Sequence, residues 1–122
     1  MKSEIESICE KNKDLESCGF ITFEKNNFVI SECKNVSKDS LNNFEISFND
    51  HIKFLKRNII AIFHSHVVSE DLFSDNDKKH SEETMVPYLL YSLKNKRHNI
   101  YIPKNIKKSK AMSLFLKKIK DY

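Results

Sequence analysis

A mixed α/β fold, with one central mixed β-sheet and helices packed on it, is the expectation for this 122-residue chain. Three observations carry it. Short β-branched and aromatic runs alternate with segments of helical period. One run, Ile59-Ile60-Ala61-Ile62-Phe63, is continuously apolar, as befits a strand buried on both faces. Other strands lie close enough together in sequence to pair as hairpins, so the sheet is not purely parallel.

The elements follow in order. Residues 2–12 read as a helix with Ile5, Ile8 and Cys9 on one face. Gly19 to Phe23 and Phe28 to Cys33 read as a hairpin turning at Lys25-Asn26-Asn27. Phe44-Glu45-Ile46-Ser47-Phe48 alternates cleanly and reads as a half-buried strand. Asn49 or Asp50 then caps a helix reaching Arg57. Ile59–Phe63 is the central strand, Val67–Phe73 a loop, and Ser74 opens a short helix. Residues 87–93 and 98–102 read as strands, and residues 106–120 as the terminal helix. In that helix Met112, Phe115, Leu116 and Ile119 recur at i, i+3, i+4 and i+7, a core-facing stripe.

Length and composition bound the rest. A chain of this size is expected to form one domain, residues 1–122, ending in a basic helix at about 104–120. Three cysteines, Cys9, Cys18 and Cys33, are an odd number without a C-x-x-C pair. That argues against a disulfide framework and for a reducing compartment, the cytoplasm. Met1-Lys2-Ser3-Glu4 starts no apolar run, so no signal peptide is expected, and no stretch approaches membrane-spanning length. The net charge is +4, and the stretch from Lys104 to Lys120 holds seven Lys and no acid. That stretch reads first as a solvated helix face and second as a contact for an acidic partner. No aromatics interleave with the lysines as base stacking would need, so nucleic acid is not the expected partner.

The chemistry concentrates at His64-Ser65-His66. Two histidines at i and i+2 leave a strand on the same face. They stand just past the C-terminal end of the central apolar run, the edge of an open sheet where ligands bind. A carboxylate from the next element would complete three protein ligands with one position open, the arrangement of a catalytic rather than a structural zinc. Ser74-x-x-Asp77 further on also fits a capping box, and alone would be read as one.

Taken together, His64-Ser65-His66, seven residues, Ser74, two residues and Asp77 resemble the JAMM motif of the JAB/MPN metallopeptidases at every defined position. Upstream, Glu16-Ser17-Cys18-Gly19 is similar to the E-x-C-G segment of the prokaryotic branch of that family, and the likeness extends over roughly residues 1–103. Val67 stands where the family usually has Pro, which shapes the loop and binds no metal. The resemblance implies a cytidine-deaminase-like three-layer α-β-α arrangement. It implies a catalytic Zn2+ held by His64, His66 and Asp77, with Glu16 as general base and Ser74 steadying the oxyanion. It implies a peptidase or isopeptidase acting on a protein or peptide. The contexts it allows are a ubiquitin-like protein, a sulfur-carrier Gly-Gly tail, or phage tail assembly, in which case the protein would be virion-associated. The alternative is a scaffold that keeps the fold and binds partners without catalysis.

Rival chemistries fit worse. H-E-x-x-H and H-x-H-x-D-H are absent, as is the P-C-x-x-C of zinc deaminases. A cysteine-nucleophile reading of Cys18 needs a base beside it, and His51, His80 and His98 are the candidates outside the motif. Cys18 reads instead as a small buried residue, and His80 as solvent-exposed. Glu70 and Asp71, in the loop between the ligands, are candidates for substrate contact.

Overall fold

A computed structural model describes all of residues 1–122, in the order α1 (Lys2–Lys11), β1 (Cys18–Glu24), β2 (Asn27–Cys33), α2 (Phe48–Leu55), β3 (Ile59–His66), α3 (Asp75–Thr84), β4 (Tyr88–Ser92), β5 (Arg97–Tyr101) and α4 (Lys110–Ile119). The strands form one sheet in the order β2-β1-β3-β4-β5. β3 and β4 are parallel, joined across α3, and every other neighbouring pair is antiparallel. The mixed sheet with helices is thus the architecture expected. No helix is long and apolar enough to cross a membrane.

Strand parity sorts the helices into two outer layers. Phe20 on one face of β1 meets Phe54 of α2, and Tyr101 on the same sheet face bonds Glu82 of α3. On the opposite face, Phe28 of β2 meets Phe115 of α4, and Tyr91 of β4 bonds Glu10 of α1. So α2 and α3 cover one face and α1 and α4 the other, giving three layers. Ala111, Met112, Phe115 and Ile119 are the buried stripe of α4, while Leu116 is only half-buried.

The hairpin turn is tighter than expected. Lys25 and Asn26 alone connect β1 to β2, both with positive φ (50° and 64°), the two-residue turn whose twist suits a hairpin. The chain's one glycine serves close packing instead. A Cβ on Gly19 would stand 2.1 Å from the Ser31 carbonyl oxygen and 2.6 Å from the Phe63 ring.

Three expectations are corrected, the first being the terminal helix, which runs Lys110–Ile119 rather than 106–120 because Ser109 caps it. Phe44–Phe48 is not a strand: one isolated bridge, Asn35 to Ile46, is all its pairing. Ser47, not Asn49 or Asp50, caps the helix, accepting from the Asp50 amide at 3.1 Å, so Phe48 begins α2 and stands 78% exposed. The central strand also runs further than its apolar residues, through His66, and is buried throughout. Both histidines are therefore inside the strand rather than beyond it, because β4 pairs alongside them, His64 with Leu90 and His66 with Ser92.

Candidate metal centre

β3 presents His64 and His66 on the face covered by α2 and α3, while Ser65 points to the other face. The intervening serine is not idle. Ser65 Oγ accepts from the Ser17 amide at 2.8 Å, and the Ser65 amide donates to the Ser17 carbonyl at 2.9 Å. The segment leading into β1 is thereby tied to the middle of the histidine pair. Glu16, only 3% exposed, is the residue before that tie.

Ligand atoms of Glu16, His64 and His66 all lie within 4.8 Å of one another. Asp77 joins them from the first turn of α3. Its Oδ2 stands 3.3 Å from His64 Nε2 and 4.0 Å from His66 Nε2. The same oxygen accepts from the Ser74 amide at 3.2 Å, while Ser74 Oγ accepts from the Asp77 amide at 3.0 Å. The capping box is therefore real, and it aims Asp77 at the histidines. Ser74 lines a cleft of ≈250 Å³ together with Glu16, His66, Asp77 and His80.

The ring of His66 has a defined tautomer. Its Nδ1 lies 2.7 Å from the Glu70 carbonyl oxygen. A carbonyl only accepts, so Nδ1 carries the proton and Nε2 keeps its lone pair, facing Asp77. Burial holds this ring below its ordinary pKa, outweighing the Glu70 carbonyl, which favours the charged form. Fully buried His64 makes no well-aligned hydrogen bond: Nδ1 has no partner, and Nε2 has Asp77 Oδ2 beside it at 3.3 Å. Phe44 stacks on that ring, centroids 4.5 Å apart and planes 23° apart. A buried imidazole without well-aligned partners is costly in a protein, and a cation is one way to satisfy it.

The two carboxyls differ. Burial pushes Glu16 up to about 8, with the charges of Asp77 and Asp39 adding to it. Burial also pushes Asp77 upward, but the His64 ring and the two Ser74 bonds outweigh it and hold the carboxyl at about 2. Two imidazoles and a carboxylate, with a second carboxyl in reach, form a group able to hold a metal ion.

Other candidates fall away from this cluster. Glu70 acts through its backbone carbonyl, and its side chain is exposed. Asp71 accepts from Asn95 Nδ2 at 2.8 Å and, through its carbonyl, from Asn99 Nδ2 at 2.7 Å, pinning the 67–73 loop to the β4–β5 turn and to β5 itself. His80 is exposed at the rim of the cleft. Cys18 is buried, donates to the Cys33 carbonyl at 3.7 Å, and burial pushes its thiol up to about 12, the opposite of an activated nucleophile. Sequence reasoning missed Phe44, whose alternation with Ile46 and Phe48 looked like a strand. It also missed Asn35, whose only local signal is an Asn before a polar loop.

No family model matches the chain, and no curated protein matches it. Among solved structures it is similar to the solution structure of protein DSY2949 from Desulfitobacterium hafniense, at 16% identity and a TM-score of 0.59, covering 82% of this chain and 75% of that one. At that identity the likeness bears on the fold alone.

Proposed function

We propose that this chain is a zinc-dependent peptidase or isopeptidase of the JAMM type. The observation that carries the reading is the convergence of His64 Nε2, His66 Nε2 and Asp77 Oδ2, with Glu16 within 4.8 Å of both histidines. The donor set suits zinc, and the buried His64 ring, without a well-aligned hydrogen bond, and the fixed His66 tautomer suit a cation. When bound, zinc supplies a Lewis acid that polarises a carbonyl and brings the ionisation of water towards pH ~7.

The remaining work falls to side chains of this chain. Glu16 takes a proton from the attacking water and returns it to the leaving amine. Without a cation burial raises it to about 8, and a cation beside it would lower that value and favour the ionised form that accepts a proton. Ser74 Oγ is an acceptor in the capping box, which leaves its hydroxyl proton free to donate to the oxyanion of the tetrahedral intermediate. Phe44 over His64 keeps water from one side of the ring. The substrate is a protein or peptide. Gly-Gly tails of ubiquitin-like or sulfur-carrier proteins and tail-assembly proteins are the contexts to try first.

A second reading has its own support. Should Glu16 coordinate the ion together with His64, His66 and Asp77, four donors would close the site, as in structural zinc centres. The protein would then be a JAB-fold scaffold that binds partners. Elemental analysis of the purified protein is expected to find about one zinc per chain, lost in the His64→Ala/His66→Ala double variant. Unchanged zinc in that variant would sink the site. With a Gly-Gly-linked fusion as substrate, Glu16→Gln is expected to retain zinc and lose about two to four orders of magnitude in rate. Zinc without any cleavage by the unaltered protein favours the scaffold.

A further inference from the structure

We infer that Asn35 is a positioning residue for this centre: its buried carboxamide holds the backbone of Glu16 and the loop carrying Phe44 against the histidine pair. The inference rests on the metal-centre reading for its purpose, but its geometry stands without a metal.

Asn35 is 9% exposed and follows β2 at the neck of the 36–45 loop. The neck is closed by the Asn35–Ile46 bridge and by the Val36 amide donating to the Glu45 carbonyl at 2.9 Å. Inside it, Nδ2 donates to the Glu16 carbonyl at 2.9 Å and to the Asn43 carbonyl at 2.9 Å, with the Ser40 carbonyl at 3.3 Å as a shared third acceptor. Oδ1 accepts from the Ser37 amide at 3.0 Å and the Glu45 amide at 3.1 Å. Two donors and two lone pairs are the full capacity of a carboxamide, and all are used.

The consequences are specific to two residues. The peptide units on both sides of Glu16 are gripped from the loop, one through the Glu16 carbonyl by Asn35 and the other through the Glu16 amide, which donates to the Ser40 carbonyl at 2.6 Å. The peptide units on both sides of Phe44 are fastened to the same side chain, Asn43 by its carbonyl and Glu45 by its amide. One carboxamide thus sets the distance of a carboxyl from the histidines and the seating of an aromatic ring on His64. Asn35 does not line the cleft, so it acts through these two residues. No other side chain type of its size does this: Asp keeps the acceptor and loses every donor, and Leu loses both.

Asn35→Asp, nearly isosteric, is the first test, and Asn35→Ala the second. In the metal-free protein, amide exchange at Glu16 and Asn43 should rise about ten- to a hundred-fold in Asn35→Asp, the effect of one or two lost buried hydrogen bonds, while exchange at Glu45, whose acceptor Asp keeps, should rise only in Asn35→Ala. Exchange in the centres of β3 and β4 should stay as it was. The ring-current shift that Phe44 imposes on the His64 ring protons should shrink, which a general loss of stability in a still-folded variant would not produce. On adding zinc, the 15N shifts of both histidines should still respond, while the 13Cδ response of Glu16, assigned by its absence in Glu16→Gln, should fall. Unaltered loop exchange and His64 ring shifts in Asn35→Asp overturn the inference. Absence of any zinc response in the unaltered protein overturns the metal reading instead, and the metal-free measurements still decide Asn35. Should Asn35→Ala fail to fold, Asn35→Asp carries the same comparison.

Discussion

Ser17 and Ser65 bond each other twice, side chain to backbone and backbone to backbone, across the junction of β1 and β3. The pair lies on the sheet face away from the histidines, yet it fixes the chain immediately after Glu16 to the residue between His64 and His66. Ser65→Ala removes the acceptor for the Ser17 amide and leaves a buried N–H without a partner. The expected cost is ~1–3 kcal/mol of unfolding free energy, read from urea denaturation. Zinc content should not change, since the lost hydroxyl faces the other layer. Stability equal to that of the unaltered chain would mean the Ser17 amide finds a different partner.

Much of this arrangement was legible in the sequence, and the reasons are physical. A continuous β-branched run means a buried central strand wherever it occurs, and Ile59–Phe63 is one. His64 and His66 were legible because strand parity fixes directions over short distances, whereas Ser74 and Asp77 read locally as a capping box and entered the site through their likeness to a family motif. Glu16 was legible only through its likeness to a family segment; its burial and its approach to His64 depend on strand pairing between residues 48 positions apart. Phe44 and Asn35 were hidden for a related reason. Alternation at 44–48 satisfies a strand template, and nothing local reveals that Ser47 caps a helix and that Asn35 claims the amide of Glu45. The carbonyl of Glu70 that orients His66 belongs to the backbone, on which side-chain patterns are silent.

Ser74→Ala separates two roles that share one oxygen. As N-cap of α3, Ser74 accepts from the Asp77 amide, and its loss should cost ~0.5–2 kcal/mol. As donor to an oxyanion its loss should lower kcat roughly 10²–10³-fold. A drop in Tm with turnover of a cleavable substrate unchanged would leave Ser74 as a cap alone. A drop in both supports the dual role, provided zinc content is retained, because Asp77 leans on the same box.

Gly19→Ala tests why the one glycine stands in β1. The added methyl meets the Ser31 carbonyl oxygen at 2.1 Å, a backbone atom that moves only with β2, and the Phe63 ring at 2.6 Å. Overpacking of this kind typically costs ~1–3 kcal/mol, occasionally more. Urea denaturation of Gly19→Ala should give a lower midpoint. Pairing it with Phe63→Leu should recover part of the loss if the ring is the principal clash, and little of it if the Ser31 carbonyl is. An unshifted midpoint in Gly19→Ala would contradict the close approach.

Glu10→Gln tests how α1 is fastened to the sheet, through acid stability. Glu10 Oε1 accepts from Lys96 Nζ at 2.6 Å and Tyr91 Oη at 2.8 Å. The Lys96 bond first, and the Tyr91 bond next, hold its carboxyl below the ordinary 4.5. The unfolded chain therefore binds a proton here more readily than the folded one, so the contribution is present above about pH 4.5 and is lost as pH falls through the lower folded value. A pair this close to solvent contributes under about 1 kcal/mol. His98, on the same face and bonded to Glu6, is also held low, chiefly by burial, so its protonation too favours unfolding as pH falls below its ordinary 6.5. Glu10→Gln removes the first effect and keeps the second. His98, His66 and the raised Glu16, which opposes them, titrate alike in both proteins, so urea midpoints should run parallel above about pH 5 and should fall less steeply below about pH 4.5 in Glu10→Gln. Parallel curves over the lower range would show that Lys96 and Tyr91 add nothing through the charge of Glu10.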